Sequence, residues 1–138
     1  MNIIEAARAW LRNSDLIDKD NKFNAGYLGA SAIEYSITTG GESHRTDILG
    51  NDLCSYSLMF SARMPYGAAI KENISAADFF SQLSAWIRNQ NRSHNYPVIS
   101  GYEVSEIKAS NAGIIIQADA NTAKYQIQIQ IDLEEVKS

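Results

Sequence analysis

Reactive groups are scarce in this chain of 138 residues. Cys54 is the only cysteine, so neither an intrachain disulfide nor a thiolate zinc site is expected. Two histidines, His44 and His94, are too few for a histidine-rich metal centre. No run of Lys and Arg occurs, and 12 basic against 16 acidic residues leave a net charge of −4, which disfavours a phosphate-backbone partner. No G-x-G-x-x-G, G-x-x-x-x-G-K-[ST], G-x-S-x-G or H-E-x-x-H motif is present, and the glycines are scattered rather than clustered to cradle phosphate. The stretch DKDNK (Asp18–Lys22) begins like a calcium loop. It then places Lys22 at the third ligand position, Phe23 where glycine is required and Gly29 where the closing glutamate belongs. The N-terminal MNIIEAARAWLRNSD carries Glu5 and Arg8 within its apolar pattern, so it reads as neither a signal peptide nor a membrane span. These absences point to a non-enzymatic protein of a reducing cytosol, with no cofactor, no metal and no membrane partner.

What remains is one domain's worth of chain, long enough to bury a core without staples. Two helices are predicted. The first, about Asn2–Asn13, spaces Ile3, Ile4, Ala7, Trp10 and Leu11 along one stripe. The second, about Ser75–Asn91, repeats the spacing with Phe79, Phe80, Leu83, Trp86 and Ile87, and Ser75 and Asp78 open it as a cap. Strands are expected at Lys22–Leu28, Ala32–Thr38, Leu53–Arg63, Gly101–Ala109, Gly113–Asp119 and Lys124–Glu135. Cys54 belongs to the apolar side of the third, as a small core residue, and Trp10 and Trp86 read as core packing. Turns at SNAG and DANT make the last three strands an antiparallel meander. The order α-β-β-β-α-β-β-β does not alternate helix and strand, which favours α+β, with two amphipathic helices packed on a mainly antiparallel sheet.

Two features call for explanation. The stretch TGGESHRTDILGND (Thr39–Asp52) reads as a long mobile loop, because Gly40 and Gly41 loosen it and it exceeds a plain hairpin turn. It carries Glu42, His44, Arg45 and Asp47. On a flexible loop these are not held as catalysis requires, and contact with a partner is the alternative to simple solvation. The strand KYQIQIQIDLEE alternates Tyr125, Ile127, Ile129, Ile131 and Leu133 against Gln126, Gln128, Gln130 and Asp132. Three neutral amides on a strongly β-prone strand leave it open to association. They form either a solvated face or a seam, where an amide costs less to desolvate than a charge and both donates and accepts.

The succession NIIEAARAWL, YLG…IEYSI, YSLMFSARMPYGAA, NISAADFFSQLSAWIRNQN and TAKYQIQIQI resembles a family of small proteins from the tail modules of phages and prophages of low-GC Gram-positive bacteria. W-I-x-x-Q-N and A-x-Y-Q-I-Q are the most telling motifs, and the resemblance runs over the whole chain. Such proteins are tail terminators (tail-completion, head–tail joining proteins), similar in role to the tail terminator of phage lambda. The resemblance implies a homo-oligomeric ring, hexameric in such proteins, at the head-proximal end of the tail tube. It implies the major tail tube protein and a neck or head-completion protein as partners, with the host cytoplasm during assembly and the tail–neck junction of the virion as locations. It implies no nucleic-acid sequence recognition. Glu42, His44, Arg45, Asp47, Gln126, Gln128 and Gln130 are then the candidate residues for a subunit or tube interface. A small-ligand-binding α+β domain of the cystatin or steroid-isomerase sort is the alternative from another class.

Overall fold

The computed structural model describes residues 3–17, 23–25, 34–65, 70–118 and 122–136. Along the chain run α1 (Ile3–Leu11), β1 (Phe23–Ala25), β2 (Glu34–Thr46), β3 (Asp52–Pro65), α2 (Ile70–Arg92), β4 (Tyr102–Ala118) and β5 (Thr122–Glu135). The strands form one sheet in the order β1-β2-β3-β5-β4, antiparallel except for the short β1–β2 pairing. The α+β class is as expected; the order is not. The DKDNK stretch lies outside the described residues.

Three elements depart from the sequence reading. SNAG does not turn the chain: the two strands expected on either side of it are one strand, β4, lying along the full length of β5. From Ser110↔Gln128 to Ile114↔Gln126, β4 advances four residues while β5 advances two, so the segment is absorbed as a bulge. The meander therefore has two strands, not three. Second, the stretch read as a mobile loop is mostly ladder, since β2 runs on to Thr46 and β3 begins at Asp52. Third, α2 starts at Ile70, so Ser75 and Asp78 lie within it rather than at its cap. Nothing between Ile70 and Ser75 breaks a helix, and Asp78 accepts from Gln82 Nε2 at 2.7 Å, one turn on.

The sheet turns its apolar face to both helices. Phe60, fully buried on β3, has the rings of Phe23, Tyr35 and Phe80 at centroid distances of 5.6, 5.7 and 6.4 Å. Leu58, Ile127, Ile129, Ile131 and Leu133 extend that core along β3 and β5, and α2 lays Phe80, Leu83 and Ile87 on it. Each such side chain contributes roughly 1.5–3 kcal/mol by leaving water. A cap joins the two helices. His94, at φ 55°, ends α2, with its N–H on the Asn91 carbonyl (3.3 Å) and the Asn95 N–H on the Gln90 carbonyl (3.0 Å). This pair of bonds is a Schellman ending, with histidine where glycine is usual. It presents the Asn95 carbonyl to Trp10 of α1, whose Nε1–H donates to it at 2.9 Å, and the Trp10 ring lies 4.8 Å from that of Trp86.

Candidate functional site

The distal half of the β2–β3 hairpin carries the polar cluster, and two local devices place it there. The first is a bulge. Thr39 pairs with Leu58, but the next partners are Gly41 and Ser57, so Gly40 is an extra residue. A side chain at Gly40 would meet Met59 Cε at 2.9 Å, and Gly41 sits at φ 142°, so glycine suits both positions. One inserted residue exchanges the faces of everything beyond it. Tyr35, Ile37 and Thr39 share a face with Phe60 and Leu58; after the bulge that face belongs to Glu42, His44 and Thr46, opposite Tyr56, Cys54 and Asp52. The second device is the turn. Asp47 Oδ1 accepts the N–H groups of Leu49 (2.9 Å) and Asn51 (2.8 Å), and Gly50, at φ 84°, donates to the Asp47 carbonyl at 3.1 Å. A three-residue hairpin loop closing on a left-handed glycine results.

On that face the polar groups converge on His44. Its Nε2 lies 3.0 Å from Glu42 Oε2, and its Nδ1 lies 3.3 Å from Asp52 Oδ2 and 3.0 Å from Cys54 Sγ. The thiol in turn lies 3.2 Å from Asp52 Oδ2, and the Tyr102 hydroxyl donates to the same oxygen at 3.2 Å. Hydrogen bonding to Glu42, then to Asp52, raises the His44 pKa above its ordinary value, and hydrogen bonds to His44 and Tyr56 lower that of Glu42. Asp52 is lowered too, first through the thiol and then through His44 and Tyr102. Loss of solvent and the neighbouring Asp52 carboxylate push Cys54 up to about 11, so without a cation beside it the group is a neutral thiol rather than a nucleophilic thiolate. Desolvation likewise carries Tyr56 and Tyr102 up to about 12. The cluster thus concentrates two low-pKa carboxylates and a thiol around one imidazole.

The residues singled out from the sequence divide into three groups. Glu42 and His44 belong to the cluster. Arg45 lies on the opposite face, opposite Leu53, and Asp47 holds the turn. Gln126, Gln128 and Gln130 lie on the face of the sheet turned away from the helices, where each amide has a partner: Met59 Sδ at 3.2 Å, Ser57 Oγ at 3.0 Å and Asp132 Oδ1 at 3.1 Å. An open groove of about 570 Å³ adjoins this end of the sheet, with Ser43, Arg45, Ser55, Gln130 and Asp132 on its walls. Asp52, Tyr56 and Tyr102 were not among the residues singled out, and Cys54, read as a small core residue, is buried as expected but also joins the cluster. The available signal was alternation: Glu42/His44 and Asp52/Cys54/Tyr56 each step by two on either side of a turn whose Asp and Gly are suited to it.

Neither protein-family models nor curated proteins yield a match to this chain. Among the described residues no helix is long and apolar enough to cross a membrane.

Proposed function

We propose that the protein is a structural component of a phage or prophage tail: a tail terminator that assembles as a ring, caps the tube and joins it to the neck. Besides the resemblance in sequence, the observation that carries this reading is the hairpin tip. Ile48 is 101% exposed and Leu49 80%, at the end of a hairpin whose β2 residues 39–46 are all exposed. Two bare aliphatic side chains on a turn at the end of the sheet have little use in an isolated domain, whereas burying them on a neighbour contributes roughly 1.5–3 kcal/mol each. Tip-to-body contact of this kind is heterologous, and repeated around an axis it closes a ring. The amide-rich outer face of β5 supports the same reading, as does the outer edge of β2 beyond Ile37, which carries no ladder partner among the described residues.

The test is the double substitution Ile48→Asp, Leu49→Asp. Both side chains are solvent-exposed, so the monomer should fold with unchanged circular dichroism. In native mass spectrometry the parent chain should form a ring, and the variant should not. In phage carrying the variant, tails should be overlong or headless by electron microscopy. Tails of normal length joined to heads would refute the role of the tip.

The groove beside Arg45 favours a second reading, in which the domain binds a small polar ligand there; its volume lies in the range of ligand pockets. Thermal stabilisation by a small metabolite, lost in Arg45→Ala, would support that reading against the first.

A further inference from the structure

We propose that His44, Asp52 and Cys54 form a binding site for a zinc-class divalent metal ion, an assignment independent of the assembly role. Glu42 occupies Nε2 of the imidazole at 3.0 Å, which leaves Nδ1 as the ring nitrogen that faces the other two residues. Nδ1, Asp52 Oδ2 and Cys54 Sγ then face one another with separations of 3.3 Å (N–O), 3.0 Å (N–S) and 3.2 Å (O–S). Three electron-rich atoms at such distances need something positive among them, either a proton or a metal ion. Tetrahedral zinc, with bonds of about 2.0 Å to nitrogen and oxygen and about 2.3 Å to sulfur, holds its ligand atoms about 3.3–3.6 Å apart. Opening the triangle by a few tenths of an ångström is enough.

The surroundings match what a metal requires of its ligands. All three lie on one hairpin: His44 and Cys54 are direct cross-strand partners, and Asp52 sits two residues before Cys54 on the same face. The bulge and the turn hold them, so the site is set by backbone and not by long flexible side chains. Glu42 on the far imidazole nitrogen, and the Tyr102 hydroxyl on Asp52 at 3.2 Å, are the outer partners that fix ligand orientation in metal centres. Cys54 is 3% exposed, while the side chains of His44 and Asp52 are 47% and 33% exposed, which leaves an entry path from solvent. Sulfur and imidazole nitrogen select against magnesium and calcium, which take oxygen ligands. On binding, the sulfur–metal bond forms as the thiol gives its proton to water. The thiolate and the Asp52 carboxylate then balance the two charges of the ion. Three protein ligands leave a fourth position for water or for an incoming group, and the ion ties β2 to β3 beyond the bulge.

The experiment uses the full chain, purified reduced and metal-free, with Co²⁺ and Zn²⁺ as probes. Expected are 1:1 binding of Co²⁺ with a thiolate-to-cobalt charge-transfer absorption, release of a proton per ion at neutral pH, and displacement by Zn²⁺. The melting temperature should rise with Zn²⁺ and not with Mg²⁺. His44→Ala and Cys54→Ser should each abolish the charge-transfer band, and Glu42→Gln should keep it with affinity weakened about 10–100-fold. Should Cys54→Ser fail to fold, His44→Ala decides, because its side chain is half exposed and its removal leaves the core intact. No band at stoichiometric Co²⁺, or a band unchanged in His44→Ala, would overturn the site and leave a cluster held by protons alone.

Discussion

Truncating Trp10 should unfasten α1 from the rest of the domain, and the structure sets how strongly. Trp10 is 4% exposed and its indole N–H is bound to the Asn95 carbonyl, whereas Trp86, its ring neighbour, is only half-buried. Trp10→Ala removes a buried indole and should cost about 3–5 kcal/mol. Trp10→Phe keeps an aromatic ring but leaves the Asn95 carbonyl without that donor, which together with the lost area should cost about 2 kcal/mol. Trp86→Ala, read from the sequence alone as a core truncation of the full magnitude, should cost less than Trp10→Ala because Trp86 is only partly buried. The double variant should fall short of the sum of the two single ones by about 0.5–1.5 kcal/mol, the coupling of an aromatic pair. Urea unfolding followed by far-ultraviolet circular dichroism measures all four, with equal slopes as the check on two-state behaviour. Each kcal/mol corresponds to about 3–5 °C in melting temperature for a domain of this size. Equal costs for Trp10→Ala and Trp86→Ala, or none for Trp10→Phe, would refute the placement of α1 on the α2 ending.

Gly41→Ala should destabilise by about 1–3 kcal/mol, although open space surrounds the added methyl, because φ 142° strains any side-chain-bearing residue; thermal unfolding measures it. Asp47→Ala, which deprives two turn N–H groups of their acceptor, should cost about 1–2 kcal/mol and broaden the amide resonances of residues 46–52 in NMR spectra. His94→Gly should stabilise by about 1 kcal/mol in urea unfolding, since glycine adopts the left-handed ending of α2 without strain. Gln128→Lys, which loses the bond to Ser57, should change stability by less than about 1 kcal/mol; loss of self-association in sedimentation, with the fold intact, would mark that face as a seam.

Periodicity alone determined much of this domain. The alternation from Tyr125 to Leu133 oriented β5, and the structure buries every one of its apolar residues. The stripes Ile3–Ala7–Trp10–Leu11 and Phe80–Leu83–Ile87 settled which sides of the helices meet the sheet, because a 3.6-residue period leaves one face to bury. Where turn residues were involved, sequence was ambiguous. Asn111 and Gly113 suit a turn and a bulge equally; what chose the bulge is β5, long enough to pair with both halves of β4 in one line. Gly40 and Gly41 suit a mobile loop as well as a bulged strand, and β3 decided for the strand by offering a partner to every residue from Gly41 to Thr46. The cluster at His44 depended entirely on that decision. Cys54 was placed from the sequence on the apolar face, but counting by twos from Ile37 assigns that face to Gly41, Ser43 and Arg45. The extra residue at Gly40 gives it to Glu42 and His44 instead. Local composition encodes the tolerance for a bulge; only pairing with the neighbouring strand decides which side chains it brings together, because register is a property of two strands and not of one.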